Sequence, residues 1–138
     1  MRQVKQGRRV RQAASLAGAL LALFSASSHA QPISFKKTVL PLLQRNCVSC
    51  HMTGEEQGGL GLAPTLAYGS LVGKPSAESA MPRVAPRQPE RSYLLHKLRG
   101  THLDNGGSGG RMPLGLQPLA DDEIAQLAAW IEAGAPNN

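Results

Sequence analysis

Cys47-Val48-Ser49-Cys50-His51 holds both cysteines of the 138-residue chain, with a histidine directly after the second. Residues three and four apart share one face of a helix, so in helical spacing Cys47, Cys50 and His51 point the same way. Just upstream, Phe35, Val39, Leu42 and Leu43 recur at i, i+4, i+7 and i+8, which predicts a helix over Ser34 to Arg45. Pro41 must kink that helix or begin a second turn. Downstream, residues 53 to 70, 73 to 90 and 100 to 118 are rich in Gly, Pro and Ser and show no period. A short helix is predicted over Glu90 to Arg99, with Leu94, Leu95 and Leu98 on one face, Pro89 near the start and Gly100 as the stop. The clearest helix runs from Asp121 to Ala133. Ile124, Leu127, Ala128 and Ile131 form its apolar face, Asp121, Asp122 and Glu123 crowd its positive end, and Gly134 closes it. There is no alternating strand pattern, internal repeat or second domain. The expected architecture is all-α, with about three main helices joined by long Gly/Pro-rich loops.

The first 30 residues read differently. Arg2, Lys5, Arg8, Arg9 and Arg11 precede an apolar run from Ala13 to Phe24, and Ser28-His29-Ala30 places small residues before Gln31. That is the pattern of a secretory signal peptide over residues 1–30. The run falls short of the roughly 20 apolar residues needed to span a bilayer, so the expected product is an exported, periplasmic domain over residues 31–138 with no integral membrane segment. The formal charge of +6 comes mostly from this leader: without its five cations, ten basic residues face nine acidic ones. A near-neutral domain has no basic patch to neutralise phosphates, which argues against nucleic acid as a partner.

Only Phe35, Tyr68, Tyr93 and Trp130 supply aromatic bulk after residue 30. Small secreted domains with thin cores recruit disulfides or a bound cofactor, and a disulfide across Cys47 and Cys50 would constrain almost nothing. Two thiols at this spacing can each add to one vinyl group of a haem while the adjacent imidazole reaches the iron, and C-x-x-C-H is a c-type haem attachment signal. Three other uses of the motif compete with this one. A thioredoxin-like pair needs βαβ patterning, which is absent. A zinc site calls for a second closely spaced ligand pair, which His96 and His102 match loosely. An inert disulfide leaves the adjoining histidine without a role.

With His51 on one side of the iron, the candidates for the other are Met52, Met81, Met112, His96 and His102. Met52 is peptide-bonded to His51 and cannot cross the macrocycle. His96 lies two positions from both Leu94 and Leu98, which turns it away from the apolar face and predicts a solvated ring. His102 follows the helix stop in a flexible stretch and stays open as a ligand. Met112, within Gly109-Gly110-Arg111-Met112-Pro113, is favoured, because a thioether beside a rigid proline can be presented by packing.

These motifs and their order resemble a single-haem, class I-type cytochrome c domain. The resemblance rests on Val39-Leu40-Pro41-Leu42-Leu43 before Cys47-Val48-Ser49-Cys50-His51, then Arg111-Met112-Pro113, then Trp130-Ile131-Glu132-Ala133-Gly134-Ala135. Between them, the segment from Leu71 to Gly100 resembles a branch of cytochrome c-like domains found in large exported proteins. The likeness implies a cytochrome c-like fold with one covalent haem c and its iron. It implies Cys47 and Cys50 as thioether anchors, His51 as proximal ligand and Met112 as distal ligand. It also implies that Phe35 on the first helix meets Trp130 or its neighbours on the last. Arg111 is a candidate partner for a haem propionate, with Arg83, Arg91 and Tyr93 behind it. The function implied is electron transfer between redox protein partners rather than catalysis. Two readings from other classes are an open-coordination haem, acting as a peroxidase-like enzyme or small-gas sensor, and a structural zinc module. For the former, His102 is the one polar distal candidate with suitable chemistry.

Overall fold

The computed structural model describes residues 31–138, so the predicted leader over residues 1–30 lies outside the described residues. Four α-helices form among them: α1 (Leu40–Asn46), α2 (Ala67–Leu71), α3 (Tyr93–Arg99) and α4 (Asp121–Glu132). No strand accompanies them; the only β-type pairings among the described residues are isolated bridges, Val72 with Val84 and Pro75 with Pro82.

The helix predicted over Ser34 to Arg45 is present in two parts. Ser34 caps it, its hydroxyl accepting from the Lys37 N–H at 3.2 Å. Phe35–Val39 is then wound as a wider π-turn, and α1 follows. The widening lies just ahead of Pro41, which has no N–H for the Lys37 carbonyl and whose ring crowds it. At the other end of the chain α4 matches its expected span to within a residue, and the Glu123 carboxylate accepts from the Ala120 N–H at 3.2 Å.

The core forms where the π-turn and α1 pack on α4. Phe35, Val39, Leu42 and Leu43 meet Leu127, Trp130 and Ile131, all buried. Phe35 lies against Trp130 as expected, and Tyr68 of α2 meets Phe35 edge-on at 5.2 Å between centroids. Polar tips find partners at the rim: Trp130 Nε1 donates to Pro136 O at 3.0 Å and the Tyr68 hydroxyl to Ala135 O at 2.9 Å.

Two expectations need correction. α2 lies in a stretch read as loop; its five residues are too few to show a period, and buried Ala67 and Leu71 hold it to the core. The helix predicted from Glu90 is interrupted, because a 3₁₀ turn at Pro89–Arg91 and α3 are separated by extended Ser92. The Ser92 hydroxyl bonds to the Ala85 N–H and the Gln88 carbonyl, both at 2.9 Å, and these local bonds compete with helix continuation. Gly100 ends α3 at φ 80°, the left-handed stop read from the sequence.

Candidate functional site

α1 delivers the cysteine motif. Its ladder closes with the Cys47 N–H on Leu43 O at 2.8 Å, and the chain then turns so that Cys47 O accepts from both Cys50 N (3.1 Å) and His51 N (3.0 Å). The motif is thus a turn rather than a continued helix. Its i,i+3 and i,i+4 bonds nonetheless keep the helical spacing that groups the two sulfurs and the imidazole. Both cysteines are free thiols, Cys47 half-buried and Cys50 exposed. Burial, and then the neighbouring Cys50, push the Cys47 thiol up to about 11, so at neutral pH it is protonated.

Beside the motif lies a cavity of about 320 Å³, at the small end of the roughly 300–1,000 Å³ range of ligand sites. Cys47, Cys50 and His51 form part of its wall, and Met112 enters it from the loop that follows α3. Leu62, Leu71, Leu94 and Leu98 make much of the wall apolar. The sequence-predicted set of Cys47, Cys50, His51 and Met112 is therefore gathered around one space.

The remaining candidates are not in that wall. Met81 and His102 lie outside it. The His102 ring is buried, with Nε2 on the Gly109 carbonyl at 2.9 Å. Met52 is exposed. His96, expected to be solvated, is instead buried: Nδ1 meets Thr101 Oγ1 at 2.9 Å and Nε2 meets Glu90 O at 3.0 Å. Its helix is wrapped on the side away from the leucines by the 3₁₀ turn before it and the residues after it, which periodicity within α3 cannot reveal. Among the propionate candidates, Arg83 and Tyr93 reach the wall while Arg111 and Arg91 do not. Arg111 instead runs along Gly100, where an added Cβ would lie 3.0 Å from its Cδ. Arg83 ties the wall together, donating to Ser70 O and Gly58 O at 2.8 Å and to Gly59 O at 2.9 Å.

Sequence reasoning missed Glu56, Glu78 and Lys97, which also line the cavity. Glu56 folds back on the turn after the motif, accepting from Thr53 N (3.1 Å), Gly54 N (2.9 Å) and Thr53 Oγ1 (3.0 Å). Those bonds, led by the Thr53 N–H, hold its carboxyl down at about 2. Lys97 sits three residues from Leu94 and next to Leu98. That place at the margin of an apolar face was the one signal that it is buried.

The residues present suit a haem with two thioether anchors. The sulfurs stand free at the cavity, the wall is largely apolar, and His51 Nδ1 is a buried nitrogen with no protein partner, so no hydrogen bond at that atom commits the ring. Among the described residues no group of three His, Cys, Asp or Glu side chains is placed to hold a metal ion, which leaves the zinc reading without a ligand set. No described helix is long and apolar enough to cross a membrane.

Neither a curated protein nor a solved structure matches the chain. A family model, Cytochrome c, matches residues 41–135, from the middle of the first helix to the turn after α4. With its small all-α fold and its motif, the chain therefore belongs to the cytochrome c family of haem-binding electron-transfer domains, and its cofactor is a covalent haem c with its iron.

Proposed function

We propose that this protein is an exported one-electron carrier whose iron is held by His51 and Met112 and whose macrocycle is anchored through Cys47 and Cys50. The observation that carries this reading is the convergence of Met112 on the cavity of the Cys47–His51 motif, while His102 and Met81 lie outside the lining. When bound, haem supplies the ferric/ferrous couple. The chain's residues set its environment. Leu62, Leu71, Leu94 and Leu98 give the cavity much of its apolar wall. An apolar surround and a thioether ligand both favour the less charged ferrous iron and raise the potential. Two protein ligands leave no open position for a substrate, which is why a carrier is favoured over a catalyst. The open-coordination reading needs Met112 away from the iron, and its one polar distal candidate, His102, lies outside the lining with Nε2 on Gly109 O. Export is supported by the leader pattern and by the fact that haem attachment of this type serves exported chains. The partners are redox proteins.

The test is spectroscopic. Co-expressed with haem-attachment machinery, the ferric protein is expected to show a weak sulfur-to-iron charge-transfer band, and its mass is expected to equal the chain from Gln31 plus one haem. Met112→Ala abolishes the band and lowers the potential. A band that survives Met112→Ala overturns the ligand assignment, and a mass that includes residues 1–30 overturns the processing.

A further inference from the structure

The loop that carries Met112 has little reason of its own to hold one shape. It contains Gly106, Gly107, Gly109 and Gly110, and Gly106 and Gly109 adopt φ of 70° and 74°. Such a chain loses much conformational freedom when ordered. Yet three consecutive carbonyls of this loop are each captured by a side chain from α3 or just beyond it. Lys97 Nζ donates to Ser108 O at 2.7 Å and to Gly110 O at 3.1 Å, and His102 Nε2 meets Gly109 O at 2.9 Å. The same lysine grips the loop a second time through its backbone, its carbonyl accepting from the Met112 N–H at 3.0 Å.

An ammonium has three donors. Here two go to the loop carbonyls, and Glu78 Oε2 stands 2.7 Å from the nitrogen as its counter-ion. Glu78 is steadied by the Tyr93 hydroxyl at 3.4 Å, and the ammonium stands 5.8 Å from the Tyr93 ring centroid. The Lys97 side chain is 9% exposed. A charge that buried is retained only where it is paired and hydrogen-bonded, and most of what it bonds to is the methionine loop.

We infer that Lys97, with Glu78 as its counter-ion, is the positioning residue that holds the Met112 sulfur at the iron, by tying the backbone of residues 108–110 to α3. The inference rests on Met112 being the iron's second protein ligand. Without the lysine, the carbonyls of Ser108 and Gly110 lose their donor and the glycine-rich chain regains its freedom, while the haem stays attached through its bonds to Cys47 and Cys50, which Lys97 does not make.

The experiment compares ferric holoprotein of the wild type, Lys97→Met, Glu78→Gln and Met112→Ala, reading the charge-transfer band, imidazole affinity, attached haem and circular dichroism. Hydrogen bonds to charged groups contribute about 1.5–3 kcal/mol, so Lys97→Met is expected to tighten imidazole binding by about tenfold or more as the sulfur yields its place. The band weakens, with haem content and helical signal unchanged. Glu78→Gln, which keeps the shape and removes the counter-ion, moves both readouts the same way by less. A lowered melting temperature with unmoved imidazole affinity in both variants marks a merely structural role and overturns the inference. Should Lys97→Met fail to accumulate, Glu78→Gln decides alone, and wild-type affinity in it is the overturning result. If Met112→Ala itself leaves band and affinity unchanged, the ligand reading fails and the positioning role falls with it. If Met112→Ala shifts them and the other two do not, only the role of Lys97 is lost.

Discussion

The rings of Phe35 and Trp130 lie 5.5 Å apart between centroids at an interplanar angle of 33°, joining the first helical turn after Ser34 to the last helix. This contact closes the domain, because the cysteine motif leaves the first helical segment while the chain's last turn is anchored through Trp130 Nε1 and Pro136 O.

Trp130→Ala is expected to destabilise the holoprotein by about 3–5 kcal/mol, the range for deleting a large buried aromatic. Trp130→Phe keeps the ring contact and loses the hydrogen bond to Pro136, so it is expected to cost about 1–3 kcal/mol. Denaturant unfolding of both variants measures the difference, and equal losses would show that the ring contact contributes little.

Glu56 makes acid stability a direct readout of the turn after the motif. Its carboxyl titrates at about 2 in the folded chain, against an ordinary 4.5. A depressed folded value means the unfolded state binds the proton more readily. The contribution is therefore present in full above about 4.5 and is lost as pH falls toward 2. The stability gap between wild type and Glu56→Gln is expected to hold from pH 7 to 5 and to narrow steadily below that. A gap that is constant down to pH 2 would show that the carboxylate's bonds do not matter to folding.

At Gly107 a buried ring and the backbone leave the methionine loop no room for a side chain, whereas at Gly110 the crowding atom is the tip of exposed Leu114. A Cβ at Gly107 would overlap the Tyr93 hydroxyl and lie 2.8 Å from the His102 carbonyl. Gly107→Ala is expected to lower stability by about 1–3 kcal/mol through overpacking. Gly106→Ala, with nothing within 4 Å, meets no such contact and bears only the strain of its φ of 70°. Thermal melts of the two variants separate crowding from backbone strain, and a larger loss at Gly106 would contradict this account.

Sequence-local features were legible where the cause lies within a turn or two. The grouping of Cys47, Cys50 and His51 needs only turn spacing, so it survives even though the segment is not a continued helix. The period of Ile124, Leu127 and Ile131 and the acidic first turn defined α4, and Gly100 stopped α3 because only glycine takes that left-handed geometry at little cost. Features that depend on what covers an element were not legible. His96 faces away from the leucines of its own helix yet is buried, because the turn at Pro89–Arg91 folds over it. α2 has too few residues to announce itself.

The amino-acid order alone settled that two thiols and an imidazole stand together, and that amphipathic helices at both ends must find each other. It left Met112 and His102 open, since both follow α3 in glycine-rich chain whose path no periodicity describes. Tertiary packing engages His102 with Gly109 and brings Met112 to the cavity wall. It also turned Lys97, an unremarked lysine in the sequence, into a buried tie between loop and helix. Local geometry follows from bonds between near neighbours, whereas the arrangement of a flexible loop follows from partners far along the chain.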